Sequence, residues 1–530
     1  MFDILIDIIF YLASLFFAFS LQKVVLQVFQ QTRYDSKRYF LWLKDNLVKI
    51  SLSYIVSFFI FVAGFLLVSV LEKTGLVKLL MSLTMLIAGY IDLKSKRNKK
   101  AIKPLVYTFR IYRQIFVFVL INLLLLFVIS KLSITFNLLS VFIRPLSYCT
   151  IFLVAQVTAP FEKIVRNSYT NKAKRILTEH DKLIKIGITG SYGKTSTKNI
   201  INEVLQQKYY SLMTPASYNT EMGIVKTLRE LIKPIHQVFI CEMGADKVGD
   251  ISELMDLVKP KIGVVTAIGA QHLTTFGSQE NIIKEKMQII EKLPVTGCGI
   301  INYDNEFVRY YKVQNYCKII SYGIASSDVD YRAVDIKFSS AGSSFTVKTK
   351  TKESFAFTTK LLGKHNILNI LAAIAIAKEL DISWQQLKIA VANVSQIEHR
   401  LQVTSFYQHT MIDDSFNANP EGAKSALEVL KMMNKPRVLV TSGMIDLGSK
   451  QEELNYEFGT IIKGNADTVI LVGEKQTKAI YQGLVDSGYP ENKIKVVKTT
   501  LAAFDYVKKL GKDKALTFLV ENDLPDAFSR

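Results

Sequence analysis

Up to about residue 165, apolar positions fall in long, nearly uncharged runs over residues 4–21, 50–71, 76–91, 115–129 and 132–159. They lack the polar stripe that a helix on the surface of a soluble protein carries, so a soluble helical bundle is the weaker reading. An apolar helix of about 18 or more residues crosses ~30 Å of hydrocarbon. Five spans are expected, with the third and fourth short enough to be re-entrant. Arg144-Pro145 in the fifth is tolerable only where it faces protein or an interface. The first run has neither the basic start nor the small-residue cleavage site of a secretory signal, so it is expected to remain.

Beyond residue 182 the pattern changes. Short β-rich runs at 183–189, 237–241, 262–268 and 299–301 alternate with helical periodicity, which predicts a parallel sheet flanked by helices. A strand-rich stretch at 331–357 and a helix at 361–380 follow. Runs at 410–413, 437–441, 468–472, 495–497 and 516–520 then read as a second doubly wound unit. The expected fold is multidomain: an α-helical transmembrane domain (1–165), a central α/β P-loop ATPase-type domain (180–397) and a C-terminal α/β Rossmann-like domain (398–530). The polar, basic stretch 160–182 joins membrane to enzyme.

Charge sets the orientation. Lys23, Arg33, Lys37, Arg38, Lys44 and Lys49 fall between the first two runs. Lys94, Lys96, Arg97, Lys99, Lys100, Lys103, Arg110 and Arg113 fall between the third and fourth. The opposite loops hold little beyond Lys73, Lys78 and Lys131. Basic loops stay inside, so the N-terminus is expected outside and everything after residue 159 in the cytoplasm of a multi-pass plasma-membrane protein. The net charge of +20 then reads as attraction to an anionic inner leaflet. Nucleic acid is excluded as a partner, because no basic patch is interleaved with aromatics. Cys149, Cys241, Cys298 and Cys317 show no C-x-x-C spacing, as expected of apolar residues in a reducing compartment.

The strongest chemical signal is I-T-G-S-Y-G-K-T-S-T-K at 188–198. A strand, a glycine turn and a helix start bring backbone N–H groups and a helix dipole to one place. Lys194 adds a point charge and Thr195 a hydroxyl able to hold Mg²⁺, so the segment is suited to a nucleotide phosphate. Gly190 stands only three residues before Gly193, a shortened form of the usual G-x-x-x-x-G-K-[ST]. Further on, Glu242 follows one strand, His272 follows the next and Lys286 lies on a helical pattern. Taken singly, these are an ordinary cap, a packed histidine and a solvated lysine.

Together with S-Y-N-T-E-M-G (217–223), E-M-G-A (242–245), G-A-Q-H-L-T-T-F-G-S (269–278), E-K-M-Q-I-I (285–290), I-N-Y-D-N (301–305), G-K-H-N-I-L-N (363–369), H-R-L-Q (399–402) and I-D-D-S-F-N-A-N-P (412–420), they form an ordered series. The series resembles the Mur ligases, most closely the members that add D-alanyl-D-alanine. The resemblance implies that Gly190, Ser191, Tyr192, Gly193, Lys194, Thr195 and Ser196 hold ATP, with Asn302, His365 and Asn366 lining the adenosine site. It implies two Mg²⁺ ions, one on Thr195 and Glu242, the other on His272 and a carbamylated Lys286. A free ammonium cannot ligate a cation, so Lys286 needs that modification. Glu398–Gln402 would be a hinge, with Arg400 reaching the ATP phosphates and Asp414 helping to seat the nucleotide. Asn219 and Glu221 match the loop approaching the acyl substrate, and Asn417, Asn419 and Pro420 the loop meeting the amine.

The reaction implied is ATP-dependent: an acyl phosphate forms on a cell-wall precursor (UDP- or lipid-linked), then an amino acid or D-Ala-D-Ala-like amine attacks. Two features depart from the family. The membrane runs replace the N-terminal UDP-sugar domain, and Phe518-Leu519-Val520-Glu521-Asn522-Asp523 replaces an expected K-G-S ending. Poly-γ-glutamate or folylpolyglutamate-type ligation and other Mur-like ligation are the rivals within the class. A P-loop-driven transporter and a silent scaffold are the rivals outside it. A transporter should carry an L-S-G-G-Q-type signature and a path of intramembrane ionisable residues, and neither is evident in the sequence.

Overall fold

The computed structural model describes residues 2–71, 74–97, 105–131, 137–269, 273–339, 342–415, 420–445, 447 and 450–522. The chain divides into two compact units, Met1–Ser168 and Tyr169–Arg530, and the division falls within the helix Ile143–Glu179.

The first unit is helical, with helices at Phe2–Gln31, Ser36–Asp45, Leu47–Leu71, Thr74–Arg97 and Phe109–Ser130, a 3₁₀ turn at Leu138–Phe142, and the start of Ile143–Glu179. Five segments are long and apolar enough to cross a membrane: Asp3–Gln31, Ile50–Val70, Thr74–Lys94, Phe109–Ser130 and Leu138–Glu179. The third and fourth, read as short from the sequence, lie in helices of 24 and 22 residues, enough at 1.5 Å per residue for a full crossing. Of the fifth expected run, residues 132–136 lie outside the described residues, and the helix that follows runs on to Glu179. Large apolar side chains such as Phe58, Phe59, Leu66, Leu124 and Phe127 face outward. Arg144 meets the condition set for it: it bonds Ser53 Oγ at 2.8 Å, pairs with Asp92 at 3.3 Å and lies over the Phe17 ring. Pro145 lies in a first helical turn, where its missing N–H costs no hydrogen bond.

The second unit holds two sheets. The first comprises β1 (Ile184–Thr189), β2 (Ser211–Met213), β3 (Val238–Glu242), β4 (Ile262–Val265), β5 (Cys298–Asn302), β6 (Lys318–Gly323), β7 (Tyr331–Ser339), β8 (Gly342–Thr349) and β9 (Ser354–Thr359). Their order is β2-β3-β1-β4-β5-β6-β7-β8-β9, parallel as far as β7 and antiparallel from there. The order reverses at β1, so the crevice at its C-terminal end is where a doubly wound sheet takes a ligand. The second sheet runs β10 (Gln402–Phe406), β11 (His409–Asp414), β15 (Thr517–Glu521), β12 (Arg437–Thr441), β13 (Thr468–Val472), β14 (Ile494–Val497), parallel except for the β10–β11 hairpin. Periodicity did not reveal β2, β6 or β10. Each is short or half-buried at one end, and β10 begins on Gln402 at the end of the expected hinge.

One helix organises the first sheet's core. Lys364–Glu379 is buried on every side, from Ile367 and Ile370 through the run Leu371–Ala377, as an all-round apolar helix must be. It shares a core with the helix Lys194–Leu205, and Thr197 Oγ1 donates to Asn369 Oδ1 at 2.9 Å. The element that follows the glycine turn is thereby fixed in place. Replacing Leu371, which is fully buried, by alanine should lower the unfolding free energy by about 2–5 kcal/mol. Urea unfolding followed by tryptophan fluorescence measures this, and a change below about 1 kcal/mol would contradict the central role of the helix.

Candidate active site

The chain leaves β1 through Gly190, where no side chain fits. Its φ is +151°, and a Cβ would stand 2.0 Å from Thr266 Oγ1 and 3.0 Å from Ala267 O. Gly193, at φ +80°, caps the helix Lys194–Leu205 in the left-handed region that glycine enters without cost. The turn is held by the exit of β4. Ser191 N donates to Ala267 O at 2.6 Å, Thr266 Oγ1 to Tyr192 O at 2.6 Å and Ser191 Oγ to Gly269 O at 3.0 Å. A rigid loop thus presents the unpaired N–H groups of a helix start at a sheet's C-terminal edge. Lys194 curls back over it, donating to Gly190 O at 2.7 Å and Ser191 O at 3.1 Å. Ser196 is buried in the first helical turn.

Glu242 ends β3, beside Ile188 of β1, and is 1% exposed. Its Oε2 accepts from Thr195 Oγ1 at 3.0 Å and pairs with Lys198 Nζ at 3.2 Å, while Oε1 accepts from Asn219 Nδ2 at 3.2 Å. Thr214 Oγ1 accepts from its backbone N–H at 3.1 Å. Lys198 also donates to Ala216 O. Thr195, Glu242 and Asn219 are therefore brought together, whereas Glu221 accepts from Thr170 Oγ1 at 2.9 Å. Sequence reasoning missed Lys198 and Asn369. Lys198 lies one helical turn past Lys194, a spacing that puts both on one face, and Asn369 lies three residues past Asn366.

Positive charge converges here from separate elements. Lys286, on the helix Gln279–Glu291, is 2% exposed. Burial, and after it the nearby Lys194 ammonium, push its amine down to about 7. Burial takes Lys194 down to about 8, with Glu242 opposing and Arg400 adding to the shift. Burial, with Arg400 beside it, brings His365 down to about 4 and so keeps it neutral, its Nδ1 2.9 Å from Ser425 Oγ. Asn366 Nδ2 donates to Leu362 O at 2.8 Å, and Asn302 Oδ1 accepts from Asp304 N at 3.0 Å, bracing their own turns.

Arg400 is flanked by two non-glycine residues in the left-handed region, His399 at φ +59° and Leu401 at φ +48°. Such residues cost of order 1 kcal/mol or more each and cluster at functional segments. Consecutive aspartates hold them. His399 Nδ1 lies 2.7 Å from Asp413 Oδ2, and Leu401 N donates to Asp414 Oδ1 at 3.1 Å. Burial raises the Asp414 carboxyl to about 6 against the pull of Arg400. His272, Asn417 and Asn419 lie outside the described residues.

Residues 188–377 match the Mur ligase middle domain, and residues 399–519 match the Mur ligase glutamate ligase domain. Together the two matches take in more than half of the chain. The chain belongs to the Mur ligase family. It is 33% identical over 298 residues to the UDP-N-acetylmuramoyl-tripeptide–D-alanyl-D-alanine ligase of Escherichia coli, covering 56% of this chain and 65% of that one. To the Bacillus subtilis ligase of the same name it is 30% identical over 280 residues, covering 52% and 60%. It therefore spans less than two thirds of the length of these curated relatives. The crystal structure of MurF from Acinetobacter baumannii shares the Mur ligase fold at TM-score 0.61 and 24% identity, over 68% of this chain and 77% of that one.

Within this Mur ligase frame the Lys198–Glu242 pair is the most exacting contact, since both side chains are 1% exposed. Lys198→Met strands a buried carboxylate and should destabilise the unit by about 3–5 kcal/mol. Adding Glu242→Leu should recover much of that loss. A double variant no more stable than the single one in thermal unfolding would show that the pair is not coupled.

Proposed function

We propose that this Mur ligase is a membrane-anchored, ATP- and Mg²⁺-dependent amide ligase acting on a cell-wall precursor. The observation that carries the proposal is the meeting of Lys194, Lys286 and Arg400, from three separate elements, beside a glycine loop that opens a helix. Cations whose proton affinity burial, and secondarily a neighbouring cation, depresses are relieved by an anion, and a polyphosphate is the anion that such a loop fits.

The Gly190–Gly193 turn, with Ser191, Tyr192 and Ser196 around it, cradles the β- and γ-phosphates, and Lys194 swings from its two carbonyls to meet them. Asn302, His365, Asn366 and Asp414 seat the nucleoside. Glu242 and Thr195 form an all-oxygen donor pair suited to Mg²⁺, and Asn219 holds the free edge of the carboxylate in line. Bound there, Mg²⁺ screens the repulsion between substrate carboxylate and γ-phosphate. The substrate carboxylate attacks the γ-phosphate, giving an acyl phosphate and ADP. An amine then forms the C–N bond as inorganic phosphate leaves, with Arg400 steadying the phosphate charge throughout.

Lys286 takes part as a carbamate, which supplies a second carboxylate able to ligate Mg²⁺. Its environment supports this. The amine is buried, and near neutrality much of it is unprotonated and so nucleophilic towards CO₂. The acyl substrate is a muramoyl-peptide carboxylate and the amine D-alanyl-D-alanine or an amino acid, as the names of the relatives suggest. Five apolar helices and the basic loops favour anchoring in the plasma membrane, with the ligase domains cytoplasmic and the acceptor lipid-linked.

Mass spectrometry of the purified full-length protein with ATP, Mg²⁺ and UDP- or lipid-linked muramoyl-peptides should detect ADP and a new amide, with the lipid-linked acceptor preferred. Equal turnover of the UDP-linked acceptor would remove the lipid-linked reading, and Lys194→Ala should cut turnover at least roughly 100-fold. Below about pH 7 Lys286 is protonated and cannot add CO₂, so activity should fall as pH drops through 7. Stripping CO₂ at pH 8 should lower the rate and bicarbonate restore it; a rate indifferent to CO₂ would discard the carbamate.

A further inference from the structure

The last strand of the second sheet ends on a carboxylate for which the reaction above has no use. Glu521 is 1% exposed, and neither Oε1 nor Oε2 has a hydrogen-bond partner among the described residues. It closes β15 in register with Asp414 on β11 and Thr441 on β12. In-register residues of parallel neighbours point to the same face, so Asp414 and Glu521 stand side by side at the C-terminal edge, where such sheets bind ligands. The position is fixed from behind. Asn522 takes φ +61°, donates Nδ2 to Gly443 O at 2.6 Å, accepts at its own carbonyl from Ser442 Oγ at 2.9 Å and donates its N–H to Asp414 O at 3.2 Å.

The charges around Glu521 are uneven. Arg400 is the cation that both carboxylates act on, and Glu242 acts on it as well, so the guanidinium is shared among more than one potential negative charge. Burial and the mutual repulsion of the pair raise the affinity of Glu521 for a proton. Protonation does not satisfy the group, because a buried hydroxyl would still lack an acceptor. A ribose diol would supply donors but no charge. An ammonium brings one positive charge and three donors.

We propose that Glu521, in register with the nucleotide-seating Asp414, seats the ammonium group of the incoming amine substrate and selects for a cationic amine. The inference rests on the ligase reading given above. Sharing Arg400 links the two ligands. Once the guanidinium turns to the nucleotide phosphates, the carboxylates lose their counter-charge, so bound nucleotide strengthens the ammonium seat and the reverse holds equally.

The test is steady-state kinetics of the full-length protein in detergent across a panel of amines, with ATP and acyl acceptor saturating. Glu521→Gln keeps the shape and removes the charge. It should raise KM for the amine at least roughly tenfold, the loss of a charge-assisted hydrogen bond, and leave KM for ATP and the melting temperature essentially unchanged. Glu521→Asp retains the charge and should keep most of the amine affinity. The N-acetylated form of the amine, which carries no charge, should fail to compete in the wild type. An unmoved amine KM overturns the proposal. So does a shift that falls on ATP, which would mark a ribose contact, or on the Mg²⁺ requirement, which would mark a metal ligand. If the wild type makes no amide with any amine, the ligase reading itself fails and this proposal with it. Amide formation with an unaltered amine KM in Glu521→Gln removes the ammonium seat alone.

Discussion

A carboxylate taken out of water must be answered by charge and donors around it, and Glu242 is the one on which the site is built. Thr195 and Lys198 reach it from one helix and Asn219 from the loop before another, and Thr214 fixes its backbone. Each partner belongs to an element with its own reason to form, but only their meeting at the end of β3 compensates the buried charge. The same contacts align the helix after the glycine turn with the edge of the sheet. Geometry and electrostatics of the site are therefore one constraint.

The loop beside it shows how a backbone is made to bind. Gly190 is pressed against Thr266 and Ala267 so closely that a methyl group would collide, and Gly193 turns the chain into the helix at positive φ. The free N–H groups are held open by hydrogen bonds between the turn and the segment that leaves β4, which removes the cost of ordering them when an anion arrives. Arg400 receives comparable support from the strained residues on either side of it, tied down by Asp413 and Asp414.

The helical unit obeys the same rule. Arg144 pairs with Asp92 inside it, Lys78 with Asp7 and Arg113 with Glu162 pair nearer its surface, and apolar side chains are exposed on its outside. Charged groups among apolar helices persist where they meet partners, which is why Arg144-Pro145 is compatible with an otherwise apolar run.

Much of this was legible in one dimension. Periods of apolar residues set helices against strands, because side-chain direction repeats every 3.6 or 2 residues regardless of context. The glycine turn with Lys194 and Thr195 reads as a phosphate loop, because positive φ and an N–H nest need those residue types in that order. What the sequence could not settle was which distant side chains face one another. Lys198 looks like any helix lysine until β3 brings Glu242 beneath it. Lys286 looks solvated until the helix Gln279–Glu291 buries it near Lys194. Glu521 looks like a strand end until β15 inserts between β11 and β12 and leaves its carboxylate without a hydrogen-bond partner among the described residues. Local periodicity and turn chemistry depend on neighbours along the chain, so the sequence by itself determined them. Burial and charge compensation depend on neighbours in space, so only the tertiary structure decided them.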